Sequence, residues 1–252
     1  MVLYTKQLNN RINEIDFFRG IAVIFMITYH IFALYDVMSN NKTSKQPFID
    51  FLGSSSRYTF IFLMGMSIGL SSQKHDSVKF RKRVLERSKM LVLYAAILSV
   101  MSFVFKDRYI RFGILHYMSV AMFILAFTAY YPNASFILGL AMLYIYTKIY
   151  NVPSSENLQQ DNYALSSFGY MANHNAIDHF PLTRWLWVSC SGLLVSNYLY
   201  KNGLSKYGTL HLEDNEISKS IIKIGKYSLE IYLAHWPILY GLIKIFINLK
   251  TN

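Results

Sequence analysis

The stretch 20–35, GIAVIFMITYHIFALY, contains no Asp, Glu, Lys or Arg, and its one imidazole, His30, sits among apolar side chains. A surface helix of a soluble protein shows one apolar stripe and one polar face, whereas this stretch is apolar all round, as a helix in lipid is. The same pattern recurs at 58–73, 90–105, 112–147 and 185–200, and again at 231–243 between Glu230 and Lys244. The block 112–147 is 36 residues long and has Pro132–Asn133 near its middle. Proline disfavours helix in the residue before it, so that block reads as two helices joined by a tight turn. The expectation is an all-α polytopic membrane protein, a bundle of about seven transmembrane helices in a single domain, 1–252. The helices are placed near 18–37, 57–73, 89–106, 112–131, 133–150, 183–200 and 227–247. Each apolar block falls short of the roughly 20 residues that span a bilayer. Flanking Lys and Arg extend the span by snorkelling to the surface.

Composition agrees. Of 252 residues, 53% are hydrophobic and 15% charged, against roughly 25% charged in an ordinary soluble domain. Disorder is excluded, because so apolar a chain buries ample surface. With the single cysteine Cys190, a disulfide framework and a zinc finger are excluded too, and no metal is expected. Of the 25 Lys and Arg, fifteen fall in 1–19, 73–89 and 201–226. The densest group is Lys74, Lys79, Arg81, Lys82, Arg83, Arg87 and Lys89. The positive-inside rule puts these segments and the N-terminus in the cytoplasm, which leaves 151–181 as a long outer loop. The net charge of +11 suits membrane topology and anionic headgroups. The basic stretches lie between spans and form no nucleic-acid motif, so no nucleic-acid partner is expected. Residues 1–19 are polar and no small-residue cleavage site follows the first block, so no cleavable signal is expected. The place of the chain is thus the cell membrane, as a multi-pass protein in contact with lipid.

Ionisable groups inside a span are costly and are functional candidates by default. Three histidines qualify: His30 in the first span, His116 at the start of the fourth and His235 in the last. The plainer reading of each is a buried imidazole that hydrogen-bonds a neighbouring helix. The first helix carries more. Asp16, Arg19, Val23 and His30 lie close to one face, and eleven residues from Arg19 to His30 make almost three turns, about 16 Å. One stripe therefore joins a charged mouth to an intramembrane imidazole, which suits an extended ligand with an anionic head. Arg19 would pair with a phosphate. Asp16 has the simpler role of an acidic residue in a first helical turn. The run Arg81-Lys82-Arg83, with Arg87 and Lys89, is an anchor for topology and a second phosphate-binding candidate. Gly65 and Gly69, four apart, are a helix-packing motif, and Gly20 and Gly192 read the same way. Outside the membrane, Asp36 ends the first span, and the outer loop holds Glu156, Asp161, His174, Asp178 and His179.

The stretch Arg11-Ile-Asn-Glu-Ile-Asp16-Phe-Phe-Arg19-Gly20-Ile-Ala, the apolar run after it and Tyr29-His30 resemble the first helix of the heparan-α-glucosaminide N-acetyltransferase catalytic-domain family. Similar stretches are Phe62-Leu-Met-Gly65-Met-Ser67, Arg87-Ser-Lys-Met-Leu and Arg111-Phe-Gly113-Ile-Leu-His116-Tyr-Met. Ile224-Gly225-Lys-Tyr-Ser228-Leu-Glu-Ile-Tyr232-Leu-Ala-His235-Trp-Pro237 resembles the final-helix motif of related membrane acyltransferases. The resemblance implies an enzyme that moves an acetyl group from cytoplasmic acetyl-CoA, as co-substrate, to an amino sugar or glycan hydroxyl on the far side. The expectation of about seven spans rather than eleven, and of no large N-terminal luminal domain, sets this chain apart from the lysosomal member and counts against heparan as the acceptor. Within that implication His30 and His116 are the catalytic candidates, with His30 as base or acetyl carrier. Arg19, Arg81, Lys82, Arg83 and Arg87 would hold the CoA phosphates. Asp36, His174, Asp178 and His235 would meet the acceptor. Homo-oligomerisation is compatible with this reading. Two rivals stand beside it: a proton-coupled small-molecule transporter with a histidine relay, and a non-catalytic membrane subunit.

Overall fold

Helix α1, Asn13–Ser39, begins five residues ahead of its expected start, because Glu14 and Asp16 suit the positive end of a first turn. The computed structural model describes residues 12–39, 46–103, 110, 112–150, 167–168, 178–201, 204–205, 212 and 215–251. Helix α2, Gln46–Lys74, takes in eleven residues ahead of its expected start, so Arg57 lies within it. Helix α3, Ser77–Phe103, also starts early. The stretch 73–89, expected as a loop, is helical from Ser77 onward, and only His75 and Asp76 separate α2 from α3. Asp76 is the reason: its Oδ1 accepts from the backbone amides of Val78 at 3.1 Å and Lys79 at 2.9 Å, as an N-cap does.

Helix α4, Ile114–Thr128, and helix α5, Pro132–Tyr150, bear out the division of the long apolar block. The break falls at Ala129–Tyr131, just ahead of the expected turn, because proline occupies the first position of a helix without loss. Helix α6, Leu182–Leu199, leads into a two-stranded hairpin of β1, Tyr200–Lys201, and β2, Leu204–Ser205. Then come α7, Glu216–Lys226, and α8, Ser228–Thr251. The sequence reading takes 201–226 as a connection; its last turns form α7. Apart from the hairpin, the described residues are all-α. His174 and most of the loop 151–181 lie outside them.

Two units are present, 1–63 with 207–252 and 64–206. In the first, α2 lies antiparallel on α1. Ser56 Oγ donates to the Ala22 carbonyl at 2.9 Å, while Gly53, earlier in α2, packs on Tyr29, later in α1. Helix α8 runs parallel to α1. His30 meets His235, then Leu34 clusters with Leu239 and Ile243, and Tyr35 meets Phe246. Helix α7 crosses the start of α1 where Gly20 and Gly225 let the two backbones touch.

In the second unit, the last turns of α2 pack on α6. A Cβ on Gly65 would fall 2.7 Å from the Ser189 carbonyl carbon, and one on Gly69 would fall 3.1 Å from the Leu193 oxygen. The packing role expected for this glycine pair is therefore observed. Ser88 Oγ donates to the Ser119 carbonyl at 2.8 Å between α3 and α4. The hydroxyl of fully buried Tyr117 donates to the Trp185 carbonyl at 3.1 Å, which leaves Ser189 Oγ, 2.5 Å away, to donate to Tyr117.

Among the described residues two helices are long and apolar enough to cross a membrane: Asn13–Ser39, with mean hydropathy 1.8, and Ser228–Leu249, with 1.2. Helix α4 is apolar but shorter. Helix α3 spends its first turns on the basic run, and α2, α5 and α6 are diluted by Ser, Gly, Tyr and Trp. The core is apolar, but large apolar side chains also face outward and several polar ones are buried. Val100, Ile137, Tyr144, Ile238, Leu242 and Leu249 are exposed, whereas Asp16, Ser56, Ser119, Ser135, Thr183, Ser189, Ser196 and His235 are buried.

Candidate active site

The first unit brings His30 of α1 and His235 of α8 together. Their rings meet edge to face, with centroids 4.8 Å apart and planes inclined at 66°. The parallel packing of α1 on α8 produces this meeting, since both imidazoles lie one turn before the Leu34–Leu239 contact. Each ring is held by its own helix. His30 Nδ1 donates to the Met26 carbonyl at 2.8 Å. His235 Nδ1 donates to the Tyr232 carbonyl. A carbonyl oxygen can only accept, so the neutral form of each imidazole carries its proton on Nδ1 and leaves Nε2 as the bare, basic nitrogen. His235 is 8% exposed, and among the described residues its Nε2 has no hydrogen-bond partner. Pro237, two residues on, supplies no amide to the helical ladder at Leu233.

Three residues to which the sequence reading gave no role act on the pair. Tyr29 lies edge-on to His30 at 5.1 Å, and Tyr232 is tilted on His235 at 5.4 Å. Arg57 of α2 donates from Nε to the Gly53 carbonyl at 3.1 Å, and its Nη2 donates to Ser54 Oγ at 3.0 Å. The guanidinium is therefore folded back by a turn, within electrostatic reach of His30. One signal for Arg57 was in the sequence: it is the charge that bounds the second apolar block.

At the start of α1 the expected stripe is present. Asp16 and Val23 are wholly buried, and Arg19 and His30 are half-buried. Arg19 Nη1 lies 3.0 Å from Asp16 Oδ1. Asp16 is thus more than a first-turn acid: it is a buried carboxylate that fixes the guanidinium of Arg19, and α7 lies across its backbone at Gly225. Asp36 is half-buried, one turn from the end of α1.

The second unit holds the other candidates. His116, in the first turn of α4, has its Nε2 3.3 Å from Ser99 Oγ of α3, and its ring is 5.8 Å from that of Phe112. This is a histidine bonded to a neighbouring helix, which was its plainer reading. Arg81, Lys82, Arg83 and Arg87 are all exposed on α3. Arg81 stands over the Phe127 ring at 5.6 Å, and Arg83 contacts His75. Asp178, expected to meet an acceptor, is at the N-terminus of α4, where its Oδ2 accepts from the Ile114 amide at 3.1 Å. Among the described residues no cluster of three His, Cys, Asp or Glu is arranged to hold a metal ion.

This arrangement offers two immobilised imidazoles with bare Nε2 atoms and a charged end three turns away on the same helix. An imidazole nitrogen of this kind has the chemistry to take up a proton and return it. No curated protein and no solved structure matches the chain. The model of one family does, that of heparan-alpha-glucosaminide N-acetyltransferase, catalytic, over residues 11–237. The matched span takes in α1 with its stripe, both units and the start of α8 as far as Pro237, so the chain belongs to the heparan-alpha-glucosaminide N-acetyltransferase catalytic-domain family.

Proposed function

We propose that this protein is a multi-pass membrane acyltransferase that moves an acetyl group from cytoplasmic acetyl-CoA to an amine or hydroxyl of a glycan on the far side. The observation that carries the reading is the His30–His235 pair, two rings locked by backbone carbonyls so that each offers Nε2 as a base. In the reaction, the acceptor nitrogen or oxygen attacks the thioester carbonyl while His30 Nε2 takes the acceptor's proton. The carbon–sulfur bond then breaks, and the leaving thiolate takes up a proton from the His30 imidazolium. Imidazole is matched to this duty because its ordinary pKa lies near neutrality. His235 supports it as an uncharged ring at the edge of His30, with a nitrogen of accepting type. The Arg57 guanidinium is the cation nearest to hand for the oxyanion that forms as the acceptor adds.

The membrane arrangement has two supports beyond family membership. The parallel course of α1 and α8 requires an odd number of crossings between them if both cross, and the five long helices α2–α6 satisfy that when the short α7 stays outside the bilayer. Exposed apolar side chains with buried serines suit a protein whose solvent is lipid. The test is transfer of labelled acetyl from acetyl-CoA by purified protein in proteoliposomes, with an amino sugar as acceptor. His30→Ala is expected to abolish it, and full activity in that variant would remove the proposed base. A buried histidine pair also suits a proton-coupled transporter, and proton flux through liposomes without acetyl-CoA would favour that alternative.

A further inference from the structure

The inference concerns the place where α7 lies across the start of α1. Lys219, Lys223 and Lys226 recur at i, i+4 and i+7, which puts them on one stripe about 10 Å long. The stripe borders a cleft of about 520 Å³ lined by these lysines with Asn13, Ile222 and Tyr227, a volume within the range of small-molecule sites. One carboxylate lies on the stripe: Glu216, whose Oε1 is 2.6 Å from Lys219 Nζ. Two basic residues at the end of a helix are ordinarily explained by its dipole, and exposed lysines by solvation. Neither accounts for a concavity floored by the buried Ile222 and edged by the Tyr227 ring. The cleft is also held rigidly, since Gly225 and Gly20 bring the backbones of α7 and α1 into contact beside it.

We propose that this cleft binds phosphate esters, and that its occupant is the nucleotide head of the acyl donor. The lysines meet the phosphates, the Tyr227 ring offers a face to the base, and the thioester arm extends along α1 past Arg19 toward His30. The proposal rests on the acetyl-CoA reading above. It moves the phosphate contacts from the exposed Arg81–Arg87 run to α7, and it places the donor's head against α1, the helix that carries His30.

The experiment measures binding rather than turnover, so its failure is separate from that of the transferase reading. Full-length protein in an uncharged detergent is titrated calorimetrically with 3′-phospho-ADP, the head of coenzyme A without its thiol arm. The triple variant Lys219→Gln, Lys223→Gln, Lys226→Gln is expected to weaken binding about tenfold, the size that three exposed ion pairs allow, with an unchanged melting temperature. The triple Arg variant should restore binding, and raised salt should weaken the wild type more than the Gln variant. An equal affinity in the Gln variant would overturn the proposal, as would a wild type that does not hold the nucleotide. So would lysine-dependent binding to vesicles containing phosphatidylserine that 3′-phospho-ADP does not compete, which would assign the stripe to lipid headgroups.

Discussion

Gly225→Ala tests the join between α7 and α1 directly. An ideal Cβ at position 225 falls 2.7 Å from the carbonyl carbon of Asp16 and 2.9 Å from the Gly20 amide nitrogen, with the Asp16 carbonyl oxygen nearer still. These are backbone atoms of a helix and cannot swing aside, so α7 must move off α1. Overpacking of this kind costs about 1–3 kcal/mol. For a chain of this size that corresponds to a fall in melting temperature of roughly 2–12 °C. The control lies in the same unit: a Cβ on Gly241 of α8 meets nothing within 4 Å. Gly241→Ala therefore escapes the clash and gains up to about 1 kcal/mol of helix propensity. The assay is thermal unfolding of both variants in detergent, followed by far-ultraviolet circular dichroism. Displacement of α7 also disturbs the lysine cleft, so Gly225→Ala alone should lose affinity for 3′-phospho-ADP. A Gly225→Ala protein with wild-type stability and nucleotide affinity would refute the proposed close contact of α7 with α1.

Three further outcomes follow from the second unit. Tyr117→Phe strips a wholly buried hydrogen bond from the Trp185 carbonyl and leaves Ser189 Oγ without its tyrosine oxygen; a loss of about 1–3 kcal/mol is expected, read as a lower unfolding midpoint, and an unchanged midpoint would contradict it. Asp178→Ala removes the acceptor from the Ile114 amide, so the start of α4 should lose about 1 kcal/mol of capping, seen as faster amide exchange at Ile114. At Asp76 the Lys79 amide, helped by that of Val78, holds the carboxyl below the usual value of 3.8. A depressed pKa means that the cap's contribution is complete above 3.8 and is lost as pH falls through the lower, folded-state value. Exchange at the α3 amides of Val78 and Lys79 should quicken in that acid range in the wild type, whereas Asp76→Asn should lack this acid-dependent step.

Much of this architecture was legible in the sequence because long apolar helices announce themselves by the absence of charge. The seven expected helices have counterparts in α1–α6 and α8, and Pro132 marked the break between α4 and α5. What the hydropathy pattern hid were the helical ends that carry charge. The basic run of α3 and the whole of α7 read as loops, because their lysines and arginines masked a helical period that the Asp76 and Asn215 caps make real. The stripe from Arg19 to His30 was legible because it lies on one helix, where spacing alone fixes the face. The His30–His235 contact was not, since 205 positions separate its members and only tertiary register brings them together. That register carries the mechanistic point. Parallel packing of α1 on α8 puts two Nδ1-anchored imidazoles side by side, and the segment ahead of α8 turns back as α7 to cover the charged end of α1. A substitution that slid α8 along α1 by one turn would separate the imidazoles and shift α7 over Asp16 together, so the proposed base and the proposed lysine cleft should fail together in such a variant.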